Sequence, residues 1–213
     1  MNITLNRTEL LLLPERALYL PEFGILCIAD WHLGKAAHFR RSGIAIPQPD
    51  LEREFRLISD LRNRCGASAV LFLGDLFHSL KNNDWDQFAG FIRRHPGVDF
   101  SLIRGNHDII PEGFFDTIGV ALADRMVIGE RILFTHKPLY GDTPTGLLNI
   151  AGHIHPGHSI QLQARQAVTL PCYHYSEDTL VLPAFGSMTG LYPLRKAPGH
   201  VFYCILGEEV IAV

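Results

Sequence analysis

The feature that most limits the fold is an alternation of short apolar runs with amphipathic stretches in the first half of the chain. Apolar, β-branched runs at 24–29, 69–73 and 100–103 predict buried strands. Between them, 49–64 and 84–94 carry apolar residues at spacings of three and four, which predicts two helices. Strands that alternate with helices in this way indicate a layered α/β protein with parallel strands.

The second half of the chain has a different pattern, because its strand-like runs follow one another without a long helix. These runs lie at 131–135, 148–151, 168–173, 179–184, 201–205 and 210–213. The change of pattern predicts a mixed sheet or two packed sheets. The 213 residues contain no linker, internal repeat or low-complexity tract, so we expect a single domain over 1–213.

Polar residues come directly after five of these predicted strands. The polar segments are Asp30-Trp31-His32, Gly74-Asp75, Gly105-Asn106-His107-Asp108, Thr135-His136 and Gly152-His153-Ile154-His155. Groups just beyond the carboxyl ends of strands in an open α/β sheet converge on one crevice, so we expect the five segments to share a site. We expect the glycines at 74, 105 and 152 to let the backbone turn sharply there.

The donor atoms of these segments indicate divalent metal ions. Imidazole nitrogens mixed with carboxylate oxygens suit Mn, Fe or Zn, whereas Ca or Mg would favour oxygen alone. The candidate ligands are too many for one ion and predict two. A pair of ions about 3.5–4 Å apart lowers the pKa of a bridging water, so that hydroxide forms near neutral pH, and clamps phosphoryl oxygens.

The ordered motifs DWH, GDLFH, GNHD, THKP and GHIH, which span residues 30 to 155, resemble those of the calcineurin-like metallophosphoesterase superfamily. A closer resemblance is to the bacterial ligase-associated DNA-damage-response endonucleases of the PdeM type, over nearly the whole chain. ADWHLGK at 29–35, FRR at 39–41 with Gly43-Ile44, and LPAFGSMTG at 182–190 carry it. The resemblance implies a four-layer αββα sandwich of two mixed sheets flanked by helices. It also implies a DNA endonuclease that acts in DNA repair and uses Mn²⁺ in preference to Fe or Zn. A DNA ligase and a helicase would be its partners.

The resemblance also divides the ligands between two ions and assigns a general acid. The first ion would be held by Asp30, His32 and His155. The second would be held by Asn106, His136 and His153. Asp75 would bridge the two ions, which makes it a catalytic residue, and His107 would contact the phosphoryl group and protonate the departing alkoxide.

The chain departs from the family pattern at two positions. Many relatives carry a carboxylate that orients the histidine of the GNH motif, and this chain has His78 there. The partner that orients His107 is therefore unassigned, with Asp108 as a candidate, and we place both His78 and Asp108 in contact with the ligands rather than with metal. Thr135 precedes His136, where a glycine is common in the family.

Three basic residues, Lys35, Arg40 and Arg41, follow the DWH motif. A role in guiding phosphate and a solvated helix face explain them equally well. The net charge is −3 and the pI about 6.4, whereas dedicated nucleic-acid-binding domains are far more basic, so overall charge neither supports nor excludes DNA. No apolar run is long enough for a signal peptide or a membrane span, and four scattered cysteines form no CxxC pair, which predicts a cytoplasmic protein without a membrane.

Three functions are compatible with these observations. The first is an endonuclease that hydrolyses phosphodiester bonds in DNA. The second is a small-molecule phosphoesterase acting on a nucleotide or cyclic phosphodiester, because the motifs specify the chemistry and not the substrate. The third is a non-catalytic scaffold of the same fold, but such relatives lose the GNH histidine, whereas this chain keeps His107 and all seven predicted ligands.

Overall fold

The structure is a computed structural model that describes residues 1–41, 43, 45, 50–78, 83–108, 110–161 and 167–213, without the side chains of residues 37, 38, 41 and 83. The first sheet contains, in spatial order, β1 (Asn2–Leu5), β2 (Thr8–Leu12), β3 (Ala17–Leu20), β4 (Ile25–Ile28), β5 (Ala69–Phe72), β6 (Asp99–Ile103) and β7 (Val120–Ala123). Pairing is antiparallel from β1 to β4 and parallel from β4 to β7. The predicted parallel strands at 24–29, 69–73 and 100–103 are therefore adjacent at its centre.

The helices of the described residues all lie in the sequence between β4 and β7. They are α1 (Lys35–Arg41), α2 (Leu51–Cys65), α3 (Asn83–Arg93) and α4 (Glu112–Asp116). None of them has the length and apolar character needed to cross a bilayer. The two predicted helices correspond to α2 and α3; Pro49, the predicted start of the first, lies outside the described residues.

Helix α2 shows why the sequence folds as it does at this point. Asp50 caps its start, because the side-chain Oδ1 accepts a hydrogen bond from Arg53 N at 3.0 Å. Gly66 ends it in the left-handed conformation, with φ of 69°. Its apolar face buries Phe55, Ile58 and Leu61 against the first sheet.

Within the described residues, the second sheet contains nine strands. They are β8 (Arg125–Ile128), β9 (Ile132–Thr135), β10 (Leu148–Ala151), β11 (Pro156–Gln161), β12 (Ala167–Ser176), β13 (Thr179–Val181), β14 (Tyr192–Leu194), β15 (Val201–Leu206) and β16 (Glu209–Ala212). The order across the sheet is β14-β11-β12-β13-β10-β9-β8, and β15 pairs with both β12 and β16. Pairing is parallel for β9-β10, β10-β13 and β11-β14 and antiparallel elsewhere.

The core has two layers, which confirms the prediction of two mixed sheets with flanking helices. One cluster of buried side chains packs α2 and α3 on the outer face of the first sheet, around Trp31, Phe72 and Phe88. The other fills the space between the two sheets and includes Leu18, Phe134 and Tyr173. The hydroxyl of Tyr173, on the second sheet, lies 2.6 Å from Ala17 O on the first sheet.

Candidate metal centre

Asp30, His32 and Asp75 are positioned by a pair of parallel strands whose chains stay together beyond the sheet. After β4 and β5 end, Asp30 N donates to Gly74 O at 3.2 Å, and His32 N donates to Asp75 O at 2.9 Å. These bonds hold two loops side by side at the carboxyl edge of the first sheet. The convergence that the sequence predicts there is present.

The histidines at 136, 153 and 155 come from the second sheet in a similar way. Strands β9 and β10 run parallel, and beyond them Gly152 N donates to His136 O at 3.1 Å. The two sheets meet at the site, because His153 N donates to Asp30 Oδ2 at 2.8 Å. Ligand candidates from both sheets therefore face one another.

Two groups of donor atoms result, one made of Asp30, His32 and His155 and the other of Asp75, His136 and His153; within each group the donor atoms lie within 4.8 Å of one another. In the first group His155 Nε2 lies 3.2 Å from His32 Nε2 and 3.5 Å from Asp30 Oδ1. In the second group His136 Nε2 lies 3.1 Å from His153 Nδ1 and 3.4 Å from Asp75 Oδ1.

These distances fit two metal ions. Metal–ligand bonds of about 2.1 Å place neighbouring ligand atoms about 3.0–3.4 Å apart in octahedral or tetrahedral coordination. In addition, Asp30 Oδ1 is buried and accepts no hydrogen bond from the described part of the chain, although a buried carboxylate oxygen normally has a partner. A cation between Asp30 and His155 would satisfy this oxygen.

Asp75 faces both groups, one oxygen to each. Its Oδ1 is 3.4 Å from His136 Nε2, and its Oδ2 is 4.0 Å from His32 Nε2. The side chain is buried, and its Oδ1 also accepts a hydrogen bond from His107 N at 2.9 Å. This is the geometry that a bridging carboxylate requires.

The loop after β6 carries Asn106, His107 and Asp108 to the same edge. The Asn106 side chain is exposed, one residue before the amide that contacts Asp75, so its assignment as a ligand remains a prediction. Asp108 is buried and accepts from backbone amides on both oxygens: Leu76 N and Phe77 N bind Oδ1, and Gly105 N binds Oδ2. It therefore joins the loops after β5 and β6.

His107 lies at the open side of the site. Its side chain is 51% exposed, and its Nε2 lies 4.0 Å from Asp75 Oδ2. The ring of His78 lies 5.1 Å from that of His107 and 5.7 Å from that of His32, centroid to centroid. The structure thus places His78 next to the exposed histidine and beside a ligand candidate.

The electrostatics of the site favour the metal-binding protonation state at Asp75, His32 and His153 but not at His136. Burial acts to raise the pKa of Asp75, but hydrogen bonds from His136 and from His107 N outweigh it, and the pKa falls well below its usual range. Burial lowers the pKa of His32 to about 3 and also lowers that of His153. For His136 burial acts in the same direction, yet the hydrogen bond with Asp75 raises its pKa. The anionic carboxylate and neutral imidazoles are the forms that ligate metals.

Five of the candidate ligands have a left-handed backbone, which non-glycine residues rarely adopt. The φ angles are 52° at Asp30, 54° at His32, 48° at Asp75, 72° at His153 and 53° at His155. Asp and His tolerate this region better than most residues, but each such position still costs on the order of 1–3 kcal/mol. Backbone strain of this kind clusters at functional sites, where the surrounding structure holds it in place.

The glycines at 74, 105 and 152 serve the site in two ways. Gly74 has φ of 80° and makes the sharp turn that the sequence predicts. Gly105 and Gly152 do not have positive φ, so the expectation of a sharp turn is wrong at these two positions. Close packing of neighbouring atoms is what requires a glycine at each of them. A Cβ atom on Gly105 would overlap Asp75 N, and one on Gly152 would lie 2.6 Å from Asp30 Oδ2.

Two of the three predicted phosphate-guiding residues lie beside the first group of ligands. Lys35, half-buried at the start of α1, and the exposed Arg40 line a cleft that also includes His32 and Ser187. Burial lowers the pKa of Lys35, and Asp75 and Asp30 act against this shift. Arg41 ends α1, but its side chain lies outside the described residues.

Sequence patterns alone did not identify the residues that hold Trp31 in place. Glu54 on α2 accepts a hydrogen bond from Trp31 Nε1 at 2.7 Å and another from Ser187 Oγ at 2.8 Å. The segment around Gly186 runs along the Asp30 loop, since Phe185 N donates to Ala29 O at 2.9 Å. Only the resemblance of LPAFGSMTG at 182–190 singled out this segment.

Comparisons with known proteins agree with this geometry. Residues 23–166 match the family model of the calcineurin-like phosphoesterases. The nuclease MPE of Pseudomonas putida is similar over 100% of this chain and 99% of its own, with 26% identity and a TM-score of 0.80. Yfce, a phosphoesterase from E. coli, has 13% identity and a TM-score of 0.47 over 89% of this chain and 97% of its own. A search of curated proteins found no match.

The family match covers more than half of the chain and contains all the segments that form the two ligand groups. The fold is similar to that of the P. putida nuclease over the whole chain. The chain belongs to the calcineurin-like phosphoesterase family.

Proposed function

We propose that this protein is a dinuclear metal-dependent phosphodiesterase that cuts nucleic acid, with DNA as its substrate. The observation that carries the proposal is the pair of three-residue ligand groups, in which Asp75 of the second group also faces the first, with the exposed His107 beside them. The likeness to the P. putida nuclease over the whole chain supports a nucleic-acid substrate. A role in DNA repair, with a DNA ligase and a helicase as partners, enters the proposal from the sequence resemblance.

Each ligand group would hold one ion. Asp30, His32 and His155 would hold the first; His136 and His153, with Asn106 from the adjacent loop, would hold the second; Asp75, which faces both groups, would be shared between them. When bound, Mn²⁺ or a similar ion supplies positive charge that activates water and offsets the charge of the phosphoryl oxygens.

His107 acts as the general acid in this proposal. An alkoxide is a poor leaving group, so the departing nucleotide oxygen needs a proton. The backbone of His107 is fixed by the bond from its N–H to Asp75, while half of its side chain is open to solvent. His78, whose ring centroid lies 5.1 Å from that of His107, would limit the orientations of this ring. Lys35 and Arg40, with Arg41, attract the substrate's phosphates.

The direct test is the nicking of supercoiled plasmid in Mn²⁺ by purified protein. We expect nicking that a chelator abolishes and that Asp75→Asn reduces by at least about a hundredfold, because electrostatic stabilisation of this kind is worth about 10²–10³ in rate. Asp60→Asn, on the exposed face of α2, is the matched control and should nick like the wild type. Plasmid left intact, with mononucleotides or cyclic phosphodiesters hydrolysed instead, would establish the small-molecule alternative.

A second experiment tests the general acid. In a nitrophenyl phosphodiester the leaving group departs without a proton, whereas an oligonucleotide must lose an alkoxide. His107→Gln should slow oligonucleotide cleavage by about 10²–10⁴ and slow the nitrophenyl ester much less. Equal losses on the two substrates would remove His107 from the general-acid role.

A further inference from the structure

A groove beside the metal centre has features that the proposed chemistry does not use. We call it the β14 groove; it is lined by His158, Ser159, Tyr192, Pro193, Leu194, Arg195 and Lys196. Tyr192 is 62% exposed, which is a high fraction for a large hydrophobic residue. Arg195 and Lys196 are also exposed, and none of the residues named as lining the groove is acidic.

The groove begins at a metal-ligand candidate. Tyr192 N donates to His155 O at 2.9 Å, and Tyr192 pairs with Pro156 in the parallel register of β14 and β11. From this point β14 runs away from the site, and its two residue steps to Leu194 cover about 7 Å at about 3.3 Å per residue. Tyr192 is thus the residue of the strand closest to the site, and the basic pair lies beyond its far end.

The strand is a fixed platform. Leu194 packs against the buried cluster of Cys172, Phe202 and Cys204, so β14 is anchored to the sheet by its own side chain. Residues two apart on a strand share a face, which puts Tyr192 on the same face as Leu194. Holding an aromatic ring on a rigid strand reduces the ordering cost of stacking a ligand on it.

β14 is the last strand at its end of the sheet within the described residues, but the free edge is a poor site for another strand. Pro193 occupies its centre and has no N–H to donate to a neighbour. The usable features are therefore the aromatic face and the two cations. An aromatic platform followed by positive charge fits a single nucleic-acid strand, because an unpaired base stacks on the ring and its backbone phosphates bind the cations.

We propose that the nucleic-acid strand leaves the metal centre along β14, with the base nearest the scissile phosphate stacked on Tyr192 and the following phosphates bound by Arg195 and Lys196. This inference rests on the proposed nuclease function and adds to it a surface that selects an unpaired strand at that side of the cut. A base within an intact duplex has no free face for Tyr192, so the surface disfavours paired DNA there.

The test measures binding and catalysis separately. Binding of a labelled oligothymidylate is followed by fluorescence anisotropy in the Asp75→Asn background, so that the oligonucleotide remains intact. Tyr192→Ala should raise Kd about tenfold, and Tyr192→Phe should leave Kd within about twofold, because the ring and not the hydroxyl stacks. In the wild-type background both variants should hydrolyse the small nitrophenyl phosphodiester at the normal rate, since that ester does not reach the groove.

The charges are tested by salt dependence. Arg195→Ala combined with Lys196→Ala should reduce the slope of log K against log[salt] by about 1.4, which is two contacts at about 0.7 each. The matched control is Arg93→Ala with Arg94→Ala, an exposed basic pair at the end of α3, which packs on the first sheet and not on the sheet that contains β14; it should leave the slope unchanged.

Unchanged Kd in Tyr192→Ala would overturn the inference even if the wild type nicks plasmid. So would an equal loss of nitrophenyl ester hydrolysis, because Tyr192 would then act by positioning His155. If the wild type hydrolyses the nitrophenyl ester but neither nicks plasmid nor binds the oligonucleotide, the nuclease proposal itself fails, and the inference fails with it.

Discussion

Asp75 Oδ1 lies 3.4 Å from His136 Nε2 across the boundary between the two sheets, while the other oxygen of Asp75 faces His32. Asp75 thus directs one side-chain oxygen toward each of the two described ligand groups. This arrangement makes the consequences of losing Asp75 different from those of losing a histidine.

We expect His155→Ala to bind one ion with near-normal affinity and Asp75→Asn to weaken both. Metal content is measured by mass spectrometry after dialysis against low Mn²⁺, and binding by the Mn²⁺-dependent rise in Tm. A ligand at about 100 times its Kd stabilises a protein by about 2.7 kcal/mol, which such a melt resolves. Asp60→Asn serves as the control, and two ions retained in Asp75→Asn would contradict a bridging role.

Gly105→Ala should disrupt the site through packing. Its added Cβ would overlap Asp75 N and lie 2.9 Å from Gly74 C, so the two loops must separate. We expect a loss of about 1–3 kcal/mol in the free energy of unfolding, together with loss of Mn²⁺ binding. Gly113→Ala is the matched control, because a Cβ there meets nothing within 4 Å. Wild-type metal affinity in Gly105→Ala would show that the loops can separate freely.

Tyr173→Phe should weaken the connection between the sheets. The Tyr173 hydroxyl is buried, accepts from Leu13 N at 3.2 Å and lies 2.6 Å from Ala17 O. Removing it deletes these buried hydrogen bonds, while Leu13 N and Ala17 O stay bonded to each other at 3.0 Å, so we expect a loss of about 0.5–1.5 kcal/mol. Urea denaturation measures the change. Tyr175→Phe, whose hydroxyl bonds only with Asp178 at the surface, should change stability by less than about 0.5 kcal/mol.

His174 should make the fold sensitive to acid. Its imidazole is buried between Tyr140 and His200, and burial, together with His200 and His158, lowers its pKa to about 4. The unfolded chain takes up this proton near pH 6.5, so between about pH 6.5 and 4 the unfolded state binds more protons than the folded state. Stability is therefore complete above about pH 6.5 and falls as pH decreases, by up to about 3 kcal/mol.

The measurement is urea denaturation from pH 7.5 to 4 with EDTA present, for the wild type and for His174→Gln. Groups common to both proteins contribute equally to both profiles, so the difference in slope reports on His174. A flatter profile is expected for the variant. Parallel profiles would mean that His174 titrates normally in the folded protein.

The sequence predicted the central strands and the clustering of the polar residues that follow them, because both follow from one rule. Buried parallel strands appear as uninterrupted apolar runs, and polar residues directly after them must lie at one edge. Asp75 after β5 and His136 after β9 are examples, and the structure brings them within 3.4 Å. The departure at Thr135 has no visible effect on the placement of His136.

The hairpins were not predictable in the same way. β1 and β2 are joined at Asn6-Arg7, where both residues have positive φ, 45° and 61°. Such turns usually contain a glycine at the second position, and because this chain has an arginine there, the sequence pattern does not predict the turn. Asp108 shows a different limit, because no sequence pattern reveals that a buried carboxylate accepts backbone amides from two loops.

Each ligand group draws residues from both sheets, and this has a consequence for assembly. A bound ion would act as a noncovalent crosslink between the layers, and the one at His32 and His155 would close a loop of 123 residues. The entropy lost on closing a loop grows with the length of the loop. The stabilisation by such a crosslink therefore comes largely from restricting the conformations of the unfolded chain. Metal supply would therefore set not only the rate of hydrolysis but also how often the two layers come apart.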